Sequence, residues 1–121
     1  MPQAKKQPAP SCPIAQTLAV FAGKWKPEIL WSLKDERMRF NQLQRAVDGV
    51  SQKMLAQQLR ELERDGLVKR IQLKTIPPHV EYEATDLIQT LTPVFEKLEQ
   101  WFVDNGKAVR KARTTYKKTK G

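Results

Sequence analysis

Residues 40–82 constrain this chain most, because they lay down four elements in a fixed order. Asn41 to Val47 reads as a short helix and Asp48-Gly49-Val50 as a tight turn. A second helix opens at Ser51 and runs to about Asp65. Two short strands follow, Leu67 to Leu73 and Val80 to Ala84, joined by a Pro-bearing loop. Helix, turn, helix, hairpin is the order of a helix-turn-helix that carries a wing.

The second helix has two faces. At 3.6 residues per turn, Leu55, Leu59 and Leu62 share one side, and Lys53, Gln57, Arg60 and Arg64 fall opposite. The leucines can pin the helix to a core. The other four can reach phosphates, and Lys, Gln and Arg can read base edges. Periodicity alone favours an ordinary solvated face, so the neighbours decide. Asn41 with Gln44 has capping-box chemistry for the first helix. Gly49 suits the turn, and Ser51 is a good N-cap for the second helix.

Length and composition exclude other classes. A chain of 121 residues suffices for one domain with one core. No apolar run could span a bilayer, and no signal peptide is visible, so the expectation is a soluble, cytoplasmic protein associated with the nucleoid through DNA. One cysteine, Cys12, rules out an intrachain disulfide framework, and with one histidine, His79, it cannot make a standard zinc site. There is no Gly-rich phosphate loop and no placeable Ser/His/Asp set. The expectation is no enzyme, no metal and no cofactor.

The net charge of +9 is unevenly spread. Residues 107–121 hold seven bases and no acid, and Lys5 and Lys6 supply the remaining excess. Residues 7–106 are neutral as a whole, but Arg37 to Lys74 has a balance of +5 and Thr75 to Gly106 one of −5. The basic half contains the helix-turn-helix, a separation that orients a protein toward a polyanion.

The rest of the chain falls into place around that unit. Residues 1–11, with three prolines and no large apolar side chain past Met1, are expected to be a disordered arm. Residues 12–106 are expected to form a DNA-binding and dimerisation domain, and 107–121 a disordered basic tail. Cys12-Pro13 starts a helix striped by Ile14, Leu18 and Phe21 and closed by Gly23. Another begins near Trp25, with Pro27 in its first turn and Ile29, Leu30 and Leu33 facing a core. Trp31 points the other way, to cover the first helix or meet a second subunit. Arg37 to Phe40 is extended and can add a minor strand to the wing. In the wing, Leu67, Ile71 and Leu73 form one period-two face, as do Val80, Tyr82 and Ala84. Lys74, Thr75, Ile76, Pro77, Pro78 and His79 make the tip. The last helix runs from Asp86 to about Asp104. Ile88, Leu91, Phe95, Leu98 and Phe102 follow a 3-4-3-4 seam, and Leu87, Val94 and Trp101 make a second one. One seam can bury in the body, which leaves the other for a partner helix. Pro93 should kink this helix.

With these pieces in order, the chain resembles the HxlR-type regulators, a winged-helix branch related to the MarR group. The resemblance runs from Cys12 to about Asn105. It rests on Cys12-Pro13-Ile14, on Gly23-Lys24-Trp25 with Ile29-Leu30, and on Arg39-Phe40-Asn41-Gln42-Leu43. It continues through Gly49-Val50-Ser51-Gln52-Lys53-Met54-Leu55 and from Gln58 to Arg70, and ends with Pro77-Pro78 and Val80-Glu81-Tyr82. Ile88 stands where the family tends to place Gly, and the basic tail lies outside the pattern. The resemblance implies a mainly α protein with a small β wing, dimerising through its terminal helices and reading a pseudo-palindromic operator with half-sites about 34 Å apart. In some members of that family a cysteine at the position of Cys12 is a sensor of quinones, aldehydes, hypochlorite or disulfide stress.

The candidate sites follow. DNA contacts are expected from Arg39, Asn41, Gln42, Ser51, Gln52, Lys53, Gln57, Arg60, Lys74, Thr75 and His79, though Asn41 could serve only as a cap and His79 only as a wing residue. A dimer interface is expected from Ile14, Leu18, Ile88, Leu91, Phe95, Leu98 and Phe102. Cys12 either senses electrophiles from a helix N-terminus, which favours thiolate, or caps that helix or fills a small apolar gap. Rival readings are a regulator with a non-covalent small-molecule signal and an inert Cys12, a protein-interaction or RNA-binding winged helix, and a thiol-dependent enzyme. The polar face of the second helix speaks against the interaction module, the lack of surface aromatics against RNA, and the lack of a base near Cys12 against the enzyme. The basic tail is expected to raise non-specific affinity and its salt dependence.

Overall fold

The computed structural model describes residues 12–120, so the arm expected over residues 1–11 lies outside the described residues. Five helices and three strands follow in the order α1 (Pro13–Phe21), α2 (Lys26–Leu33), β1 (Met38–Arg39), α3 (Phe40–Ala46), α4 (Gln52–Arg64), β2 (Val68–Leu73), β3 (His79–Ala84) and α5 (Asp86–Lys120). The chain divides between Leu87 and Ile88 into two compact units.

The first unit is built on α4. Leu55, Leu59 and Leu62 are buried, the leucine face expected from periodicity. They join Ile29, Leu30 and Leu33 of α2, Leu43 of α3, and Val47, Val50, Leu67 and Val68 of the connections and wing among the buried apolar residues. Each such side chain contributes about 1.5–3 kcal/mol relative to exposure. Ser51 caps α4 by accepting a hydrogen bond from Met54 N at 3.0 Å. Gly49 supplies the left-handed turn between α3 and α4 at φ +86°, a conformation that costs an L side chain about 1–2 kcal/mol.

The cap of α3 differs from expectation. Arg39, not Asn41, is its N-cap, and Gln42 Oε1 accepts from Arg39 N at 2.8 Å. Guanidinium offers no acceptor, so this is the return half of a capping box. Gln44 instead reaches forward, its Nε2 donating to Val50 O at 3.5 Å.

The three strands form one antiparallel sheet in the order β1-β3-β2. Met38 pairs with Tyr82 and Arg39 with Glu81, so the extended link does join the wing. The register settles how the two faces of the hairpin align, which period two alone leaves open. Ile71 pairs with Glu81 and Leu73 with His79, whereas Val68 pairs with Ala84 and Gln72 with Val80. The two apolar rows therefore lie on opposite faces, with Val68 buried on the side of Val80, Tyr82 and Ala84. Period two shows which residues of one strand share a face; only register shows which faces align.

The second unit is the helix from Ile88 onward. It runs through Pro93 and, contrary to the expected end near Asp104 and the disordered tail, continues to Lys120. Residues 107–120 contain neither proline nor glycine, and Ala, Lys and Arg are strong helix formers. A basic composition marked the segment as solvated, not as structureless.

Candidate nucleic-acid interface

Because the leucines fix the rotation of α4, the opposite face is set as well. Lys53, Gln57, Arg60 and Arg64 are all exposed, as is Gln52 in the first turn. Lys53 and Arg60 have no side-chain hydrogen bond or ion pair among the described residues, and both are exposed to a ligand. Arg64 is engaged: its Nε and Nη2 hold the two carboxylate oxygens of Asp65 at 2.9 and 3.1 Å, and this pairing keeps the Asp65 carboxyl below its usual range. The cationic stretch useful to a polyanion is thus the first two-thirds of α4.

Around α4 lie the other candidates. Arg39, Asn41 and Gln42 are exposed at the start of α3, with Gln42 already spent on the cap. Ser51 likewise serves α4 through its hydroxyl. At the wing tip Lys74 and Thr75 are exposed and Ile76 is fully so. His79 is half-buried within a chain of polar contacts. Thr75 Oγ1 donates to Pro77 O at 2.7 Å and lies 3.0 Å from His79 Nδ1. His79 Nε2 lies 3.2 Å from Glu81 Oε2, and Glu81 Oε1 is 2.9 Å from Arg37 Nε. The chain ties the tip to the sheet, so His79 acts as a brace of the wing.

Sequence reasoning missed a contact behind α4. Lys26, at the first position of α2, is buried, and its Nζ lies 2.7 Å from Glu61 Oε1. Glu61 Oε2 accepts from Gln57 Nε2 at 3.3 Å. The Lys26 ammonium, and after it the Gln57 amide, hold the Glu61 carboxyl below its usual range. The Gln57–Glu61 half was visible as an i, i+4 pair; Lys26 lies too far away in sequence to be assigned.

Cys12 is exposed and is the N-cap residue of α1, but its side chain makes no capping hydrogen bond. It neither fills a gap nor caps through sulfur. Among the residues expected at a subunit contact, Ile88 is buried within the single chain, and Leu91 and Phe95 are half-buried. Ile14, Leu18, Leu98 and Phe102 are exposed, as are Trp31, Trp101 and Val103. Among the described residues no cluster of His, Cys, Asp and Glu could hold a metal, and no helix is long and apolar enough to cross a membrane.

A leucine-pinned helix with a free basic face, a glycine turn before it and a three-stranded wing after it define a winged helix-turn-helix of the kind found in transcriptional regulators. Residues 20–110 match the HxlR-like helix-turn-helix family model, and the chain belongs to that family. It is 41% identical over 107 residues to the HTH-type transcriptional regulator YdeP of Bacillus subtilis, covering 84% of each chain. Among solved structures it is similar to the redox regulator HypR in its reduced form, with 37% identity, a TM-score of 0.77, and coverage of 83% of this chain and 99% of that one. The reduced form of the transcriptional regulator YodB from B. subtilis matches with 32% identity and a TM-score of 0.70, covering 75% of this chain and 90% of that one. These relatives are regulators rather than enzymes.

Proposed function

We propose that the protein regulates transcription by binding double-stranded DNA as a homodimer, with α4 in the major groove and the wing tip against the backbone. The observation that carries this reading is the face of Lys53, Gln57 and Arg60, exposed on a helix whose rotation is fixed by three buried leucines. The N-terminal part of such a helix is the part that contacts base edges. Apolar side chains stand exposed on each terminal helix, Ile14 and Leu18 on α1 and Leu98, Trp101 and Phe102 on α5, which supports pairing through the terminal helices. A two-fold dimer then matches a pseudo-palindromic operator.

Cys12 is the proposed signal input, taking an electrophile or oxidant. Its exposure and unused sulfur support this, as does the similarity to proteins named redox regulators. The match to the family model covers residues 20–110 and does not include Cys12. With one cysteine per chain, the products available are an alkylated thiol, a mixed disulfide with a small thiol, or a bridge between the two Cys12 residues of a dimer.

The test is binding to the promoter regions of the protein's own gene and its neighbours, for wild type and Cys12→Ser, with and without a quinone or aldehyde. Specific binding that responds to the electrophile only in wild type is expected. Specific binding that ignores it in both removes the sensor role and keeps the regulator. Absence of specific binding removes the DNA reading. Arg60→Ala should cost about 1–3 kcal/mol at the specific site and less elsewhere; equal loss on all sequences would mark Arg60 as a phosphate contact.

A further inference from the structure

Gln57 differs from Lys53 and Arg60 on α4 in that its amide is already engaged. Glu61, one turn on, accepts a hydrogen from Gln57 Nε2 through Oε2, 3.3 Å away, while its Oε1 meets Lys26 Nζ at 2.7 Å. A carboxylate can only accept, so the nitrogen of the Gln57 amide, not its oxygen, must face Glu61. The carboxylate is itself held. The Lys26 side chain is 8% exposed and that of Glu61 30%, and Lys26 stands at the start of a helix whose Ile29, Leu30 and Leu33 are buried. A buried ammonium deprived of its partner is strongly destabilising, so Glu61 is kept from swinging away.

From this geometry we infer that Glu61, clamped by Lys26, is a positioning residue that fixes the Gln57 amide so that its carbonyl Oε1 meets the base edge. The inference rests on the reading of α4 as the major-groove helix. Its consequence is a selection rule. In the major groove adenine and cytosine present amino hydrogens at N6 and N4, while guanine and thymine present the acceptors O6 and O4. A carbonyl oxygen accepts from an amino base and meets a keto base acceptor to acceptor. An unheld glutamine can turn either end of its amide outward and serve both. One position in each half-site should therefore separate amino from keto bases, and the separation should depend on a residue that touches no DNA.

The experiment is selection by the full-length protein from a randomised duplex DNA library, followed by sequencing. Wild type is expected to favour amino over keto bases at one position per half-site by roughly tenfold. Gln57→Ala should level that position alone. Glu61→Ala should admit keto bases there and leave every other position as in wild type, an outcome that a general loss of stability would not produce. Because Glu61→Ala strands Lys26, the double variant Lys26→Met/Glu61→Leu is selected beside it and should give the same relaxed position without a buried unpaired charge. If both Glu61 variants keep the wild-type amino preference while Gln57→Ala levels it, the positioning role is overturned and the reading of α4 stands. If Gln57→Ala changes no position, Gln57 reads no base. If wild type enriches no sequence, the major-groove reading itself fails.

Discussion

Ser51 holds the first turn of α4 by one bond, from Met54 N to its hydroxyl at 3.0 Å. That turn carries Gln52 and Lys53, the part of α4 proposed to meet DNA, so on that reading the cap serves both stability and recognition. Ser51→Ala is expected to cost about 1 kcal/mol, read as a lower midpoint in chemical denaturation with the slope unchanged. A shift near zero would mean that water replaces the hydroxyl and that the cap is of no energetic consequence. Ser51 could be read from sequence because its partner is three residues away. The cap of α3 was misread for the same reason: Arg39 with Gln42 and Asn41 with Gln44 have the same spacing, and only the extended backbone of Arg39 tells them apart. Cys12 was placed at its helix terminus by the following proline, but whether its sulfur was used as a cap required the structure.

At the scale of elements, α4 and the wing were visible through period and turn chemistry, while the contacts that tie them to other elements were not. Leucines at i, i+4 and i+7 define a face wherever they occur. The Lys26–Glu61 pair joins α2 to α4, and no local spacing links those two residues. The hairpin shows the same limit, since the period of each strand is legible in sequence and the register that aligns the two is not. The inter-element pair has a pH signature. Lys26 holds the Glu61 carboxyl below its ordinary range, so the folded state binds that proton more weakly than the unfolded chain does. The pair's stabilisation is then complete above the ordinary carboxylate range and is lost as pH falls through the lowered folded value. Thermal melts of wild type and Glu61→Gln should therefore differ most near neutrality and converge as the pH is lowered past the ordinary carboxylate range. A difference that persists undiminished in acid would show that the effect of the substitution is not the charge of Glu61.

At the scale of the whole molecule, the question is what the C-terminal stretch of α5 adds to the family's domain. The family match stops at residue 110, and the helix continues to Lys120. At 100° per residue, Lys107, Arg110, Lys111, Arg113, Lys117 and Lys118 fall within an arc of about 160°, with Ala108, Val109, Ala112 and Tyr116 on the other side. This order was not legible in sequence because charge density was weighed and periodicity was not. A helix with these six bases on one side presents them together to a polyanion, whereas a coil would spread them. If DNA is the ligand, each phosphate neutralised contributes about 0.9 to the slope of log affinity against log salt. Replacing the six bases by Gln keeps good helix formers in place and removes only charge. The slope on non-specific duplex DNA should then fall in magnitude, by as much as about 5 if every base meets a phosphate, with selectivity for the operator retained because α4 is untouched. An unchanged slope would place this helix off the DNA and leave its charge to another polyanion; a lost operator preference would mean that the extension takes part in reading sequence.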